Sequence, residues 1–80
     1  MIIYGSDLCP DCVQCKADLD KAGVSYEYRP IAENLLYLKE FLTIRDRETV
    51  FEPVKEAGKI GIPCLVCGED VSLSWEMYLK

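Results

Sequence analysis

A four-residue apolar run, Met1 to Tyr4, stops at Gly5 and the turn formers Ser6 and Asp7, and a proline, Pro10, follows almost at once. This punctuation constrains the chain more than any other feature. A short apolar run bounded by turn residues fits a buried strand. Pro10 suits the first position of a helix, where its missing N–H would be unpaired anyway, and Gly23 suits the left-handed position just beyond the end. Between them Cys12, Cys15, Leu19 and Ala22 recur at helical spacing on one face, with Gln14, Lys16, Asp18 and Lys21 on the other. After Gly23, Val24, Tyr26 and Tyr28 alternate with Ser25 and Glu27, which predicts a strand with unequal faces. A strand, a helix and a strand make a βαβ unit, in which the two strands run parallel.

The remainder reads in the same way. Asn34 is placed to cap a second helix with Leu35, Leu38, Phe41 and Leu42 as its apolar stripe, fading at Arg45–Glu48. Pro53 and Gly58 bracket a shorter helix. The stretch GIPCLVCGEDVSLS holds two short apolar runs around Gly68, Glu69 and Asp70, a hairpin pattern. Ser74 is positioned to cap a last turn or two, in which Trp75, Met77 and Tyr78 are expected to pack in the core. The order is therefore β, α, β, α, short α, β, β, α.

Residues 1–80 are expected to form one domain, in which a chain of this size buries only about 60 to 65 % of its unfolded surface. Half of the residues are apolar and the net charge is −5, which offers no basic field to a nucleic-acid backbone. The start of the chain has no cationic leader or apolar stretch of signal-peptide length, and no later run approaches a membrane span, so no membrane partner and a cytoplasmic location are expected. Five cysteines in a reducing compartment point to catalysis or metal binding rather than to a disulfide scaffold. The chain contains no histidine, which excludes a Cys/His nucleophilic pair.

Cys9 and Cys12 form a CxxC pair at the junction of the first strand and helix, and a CxxC beside a βαβ pattern points to a thioredoxin-like redox motif. Unpaired N–H groups and the helix dipole favour negative charge on Cys9, whereas Cys12 lies deeper in the first turn and faces inward. Cys9 is thus the candidate attacking thiolate and Cys12 the resolving thiol. The carboxylates of Asp7 and Asp11 act against a thiolate beside them. Cys15 belongs to the inward helix stripe and is read as core. Cys64 and Cys67 make a second CxxC, but on an extended strand an offset of three points the two side chains to opposite faces, so both are read as packing residues unless the strand ends early. A metal or iron–sulfur carrier using Cys9 and Cys12 with Cys15 or Cys64, and a redox-inert interaction domain, are the alternative readings.

On two motifs the chain resembles the glutaredoxins over nearly its whole length: CPDC, Cys9 to Cys12, and GIPCL, in which Ile62 and Pro63 stand where that family has a valine and a cis-proline. The resemblance implies an α/β, thioredoxin-like fold of glutaredoxin type, with a four-stranded mixed sheet and helices on both faces. It implies that Pro63 is cis beside the Cys9/Cys12 pair and that the Ile62 backbone pairs with a substrate peptide. Pro10, Ile62, Pro63 and Lys59 are then the candidate substrate-binding residues, Lys59 for a glycyl carboxylate, with no metal site. A monomer is expected, needing no cofactor beyond its dithiol, with glutathione as a candidate co-substrate. Its expected partners are protein disulfides or glutathione, recharged by a reductase or by glutathione. The family pattern breaks in three places. Ser6 replaces a lysine common before the first cysteine, Asp11 replaces an aromatic residue inside CxxC, and VSLSWEM lacks the Gly-Gly before the last helix. Weak use of glutathione is expected from these departures. Arg45 and Arg47, at the end of a surface helix, are expected to face water.

Overall fold

The first strand, β1 (Ile2–Gly5), lies inside the sheet of a computed structural model that describes residues 1–79. It is followed by α1 (Pro10–Lys21), β2 (Glu27–Pro30), α2 (Leu35–Arg47) and, after a 3₁₀ turn at Thr49–Phe51, by α3 (Glu52–Glu56). The hairpin β3 (Cys64–Cys67) and β4 (Asp70–Ser72) completes a sheet of order β2-β1-β3-β4, and a last 3₁₀ turn spans Glu76–Tyr78. β1 pairs parallel with β2 and antiparallel with β3, and β3 runs antiparallel to β4. This is the expected mixed four-stranded sheet. Among the described residues no helix is long and apolar enough to cross a membrane.

Successive residues of a strand face opposite ways, and the two cores follow that alternation. Ile3 and Leu65, one face of the sheet, pack with Cys15 and Leu19 of α1. Tyr4 and Cys64, on the other face, pack with Phe41 of α2 and with Phe51. The Phe41 and Phe51 rings meet edge to face with centroids 5.9 Å apart, and both are fully buried. Truncating either ring to alanine would cost about 3–5 kcal/mol. Arg29 on β2 fastens α2 to the sheet, donating to Glu40 at 2.7 Å and to the Tyr4 hydroxyl at 3.1 Å, while that hydroxyl donates to Glu40 at 3.0 Å.

Local signals set most of the boundaries. Pro10 opens α1, and Gly23, at φ 74°, follows its C-cap Ala22. The Asn34 side chain accepts the Tyr37 N–H at 3.1 Å, as a helix cap does. Several expectations need correction. The second strand begins at Glu27 rather than Val24, because the Val24 N–H still closes α1 on the Leu19 carbonyl at 2.9 Å. The ladder starts only where the Glu27 N–H reaches Met1 O at 2.8 Å. Ala22 is exposed rather than inward.

In α2, Leu35 and Leu42 are 67 % and 40 % exposed. Leu42 lies a full helical step round from Phe41, and Leu35 precedes the first core contacts, so the buried stripe is Leu38, Phe41 and Ile44. The final element is a 3₁₀ turn without a side-chain cap, since its N-cap position falls on Trp75, whose indole has no acceptor, and not on Ser74, whose backbone N–H and carbonyl are both bonded to the Ser72 hydroxyl. Met77 is exposed, and only Trp75 and Tyr78 of that stretch pack against the core.

Candidate active site

The turn between β1 and α1 is shaped by Ser6. Its carbonyl accepts the Cys9 N–H at 3.0 Å and its hydroxyl accepts the Leu8 N–H at 3.2 Å. This leaves Cys9 extended, at φ −97° and ψ 117°, as the N-cap of α1. The Cys9 Sγ accepts the Cys12 N–H at 3.4 Å, so the sulfur takes the place that a serine or aspartate oxygen usually fills at a helix start. A negative sulfur there is met by an unpaired donor and by the positive end of the helix. Sγ also faces the Ile62 carbonyl, 3.9 Å away.

Cys12 is one turn deeper and fully buried. Burial pushes its thiol up to about 12, while a hydrogen bond from the Ser6 backbone acts in the opposite sense. Gly5 makes room for it, since a Cβ at that position would stand 3.0 Å from the Cys12 sulfur. The half-buried Cys9 and the enclosed Cys12 are thus placed together, the first open to a partner and the second screened from it.

The two neighbouring carboxylates differ. Hydrogen bonds from Lys16 and then Tyr28 hold the Asp7 carboxyl below its ordinary value, with Lys16 Nζ at 2.7 Å and Tyr28 OH at 3.1 Å. Asp7 is therefore neutralised locally, and its expected action against a thiolate at Cys9 is offset by Lys16. Asp11 makes no ion pair among the described residues, and it lines the groove onto which Cys9 opens.

That groove has a volume of about 830 Å³ and mostly apolar walls, including Leu8, Ile31, Leu38, Leu73 and Trp75. Its remaining wall is the loop Lys59–Pro63, in which the Ile62–Pro63 peptide is cis, as the resemblance implied. Of the candidate substrate-binding residues, Lys59, Ile62 and Pro63 line the groove with Cys9. Pro10 is exposed at the helix start and is not part of the wall.

Two residues that hold the groove carry no signature in the sequence. Arg45 is not free in water: its Nη2 donates to the Lys59 carbonyl at 2.7 Å and its Nε to the Ile60 carbonyl at 2.8 Å, tying the loop to α2. Trp75 packs against the α1 side of the core as expected but also lines the groove, and it anchors its Nε1–H on Asp18 Oδ2 at 2.9 Å. That bond, and then one from Gln14, hold the Asp18 carboxyl below its ordinary value. A contact between residues 57 apart leaves no local pattern.

The other cysteines lie apart from the pair. Cys15 and Cys64 are fully buried in separate cores, and burial first, then the charges of Asp18 and Glu48 respectively, push their thiols up to about 11 and about 12. Cys67 shares the face of Leu65 but is exposed rather than packed, because it is the last residue of β3, beside the turn at Gly68. Among the described residues no three cysteine or carboxylate side chains are grouped to hold a metal ion.

Comparison with known proteins adds an independent line. The family model described as Glutaredoxin matches residues 1–71. An uncharacterised protein of Haemophilus influenzae is 37 % identical over 65 residues, a match that covers 81 % of this chain and 76 % of that protein. No solved structure matches.

Proposed function

Because the chain belongs to the glutaredoxin family, we propose that its redox role is that of a dithiol oxidoreductase reducing protein disulfides, with Cys9 as attacking and Cys12 as resolving thiol. The observation that carries this reading is the position of the Cys9 sulfur, which accepts the Cys12 N–H at the start of α1 and opens onto an apolar groove. A thiolate, not a thiol, attacks a disulfide, and the helix start favours that form.

The Cys9 thiolate attacks one sulfur of the substrate disulfide. The new sulfur–sulfur bond forms as the old one breaks, and the other substrate sulfur leaves as a thiolate. Cys12, protonated until then, hands its proton to that departing sulfur and attacks Cys9 Sγ. The Cys9–Cys12 disulfide forms, and the second substrate sulfur leaves and takes up the proton that Cys9 had given to water. The substrate gains two electrons and two protons, and an electron donor, a reductase or glutathione, returns them to the dithiol. No metal or organic cofactor takes part. Ile62 and Pro63 border the incoming peptide, and Lys59 supplies the one cationic side chain on the groove wall among the described residues. We place the protein in the cytoplasm as a monomer.

The test is reduction of a protein disulfide with thioredoxin reductase and with glutathione as alternative donors. Cys9→Ser should abolish turnover, and Cys12→Ser should trap the substrate as a mixed disulfide on Cys9. Undiminished turnover by Cys9→Ser would sink the reading. Glutathionylated peptides should be poor substrates, since losing one charge-assisted contact costs about tenfold or more in affinity.

A further inference from the structure

We propose that the groove beside Cys9 selects disulfides in an extended polypeptide whose cysteine is flanked by a large apolar side chain, received between Leu8 and Trp75, with Asp18 positioning the indole. This rests on the oxidoreductase reading and names its substrate class. Leu8 adjoins the attacking cysteine and is 90 % exposed, the barest large apolar side chain among the described residues. A single exposed leucine is ordinary on a protein surface. Here it lines the same groove as Ile31, Leu38, Leu73 and Trp75, and that groove ends on the reactive sulfur. An apolar side chain of the substrate would cover surface that water now covers, which is favourable in proportion to the area removed from water.

Charge argues against a small anionic thiol as the preferred occupant. Arg45 has committed Nε and Nη2 to two backbone carbonyls, and the Ser74 N–H is already bound by Ser72 Oγ. Asp11 adds to the wall a carboxylate that makes no ion pair among the described residues. Among the described residues a carboxylate-rich tripeptide thus finds Lys59 as the one cation of the wall and Asp11 as a repelling neighbour. Trp75 has one polar atom, and its bond to Asp18 fixes the plane of the ring while leaving the ring available as a wall.

The experiment compares two disulfide-bonded peptides of equal charge that differ in one position beside the cysteine, phenylalanine or serine. The reduced full-length protein should react with the phenylalanine peptide about tenfold more efficiently, the difference lying in KM. Leu8→Asn, at a site too exposed to disturb folding, and Trp75→Ala should each bring the ratio close to one. Asp18→Ala should raise KM for the phenylalanine peptide, and Asp18→Asn, which keeps an acceptor oxygen, should restore it. Trp75 is the chain's one tryptophan, so its emission reports binding of the same peptides with serine in place of cysteine. A ratio near one in the wild-type protein, or one that survives Leu8→Asn, overturns the proposal. If neither peptide nor a small organic disulfide reacts, the oxidoreductase reading fails instead. The emission then decides the groove: a shift with the phenylalanine peptide alone supports it, and no shift, or equal shifts, overturns it.

Discussion

Replacing Gly61 with alanine probes how the groove loop is seated on the core, and Gly58 provides the internal standard. Both glycines lie at positive φ, 94° and 70°. A Cβ in the left-handed region costs about 1–2 kcal/mol, and the entropy that alanine removes from the unfolded chain returns about 0.4–1 kcal/mol of that. At Gly58 a Cβ would meet nothing within 4 Å, so Gly58→Ala should cost about 1 kcal/mol or less. At Gly61 it would stand 2.8 Å from two carbons of the Phe51 ring and 3.3 Å from Val54 Cγ2. Phe51 is fully buried against Phe41 and cannot retreat, so overpacking adds about 1–3 kcal/mol. Urea unfolding at constant m-value should therefore rank Gly61→Ala below Gly58→Ala by that difference. For a domain of this size it corresponds to roughly 4–8 °C in Tm per kcal/mol. Equal losses in the two variants would refute the close seating of the loop on Phe51.

Three further outcomes follow from the placement of the cysteines. At pH 8 iodoacetamide should modify Cys9 and Cys67 and spare Cys12, Cys15 and Cys64, whose buried thiols stay protonated to about 12, 11 and 12; mild oxidation of the unalkylated protein should map as a Cys9–Cys12 disulfide, and a dominant Cys64–Cys67 link would contradict the site. The same raised values make stability fall in alkali. Unfolded thiols ionise near roughly pH 8.5 to 9 while the native ones hold their protons, so the contribution is complete below that range and each thiol removes about 1.4 kcal/mol per pH unit above it, until its native value is reached. Unfolding free energies that stay flat between pH 9 and pH 11 would refute this. Asp11→Asn should speed alkylation of Cys9 at pH 6 by about two- to fivefold, the worth of one partly exposed charge, and an unchanged rate would show that the Asp11 carboxylate does not act on the sulfur.

The elements that were legible in the sequence are those whose signals are local. Pro10, Gly23, Asn34 and Gly58 mark helix ends by their own backbone chemistry, and the hairpin announces itself within a few residues. The Cys9/Cys12 pair was legible for the same reason. The start of β2 was not, because it is fixed by a bond from Glu27 to Met1, at the other end of the βαβ unit. The expected influence of Asp7 on Cys9 missed Lys16, which lies nine positions along and folds back onto it. Arg45 reads as a surface charge, and the groove-lining role of Trp75 is invisible beside its core packing, until the chain is folded, since their partners are 14, 15 and 57 residues distant.

The tie from Arg45 to the Lys59 and Ile60 carbonyls has a consequence for how this scaffold can diversify. The Lys59 and Ile60 carbonyls of the loop opposite the sulfur are held there by one long side chain rather than by a strand ladder. Residue 45 is therefore a natural point of variation: a shorter or uncharged side chain would release the loop without touching either cysteine, and would free two carbonyls for other donors. The shape of the groove and the Cys9/Cys12 pair are thereby encoded at separate positions, so a lineage or a designer can alter one while the other stays constant.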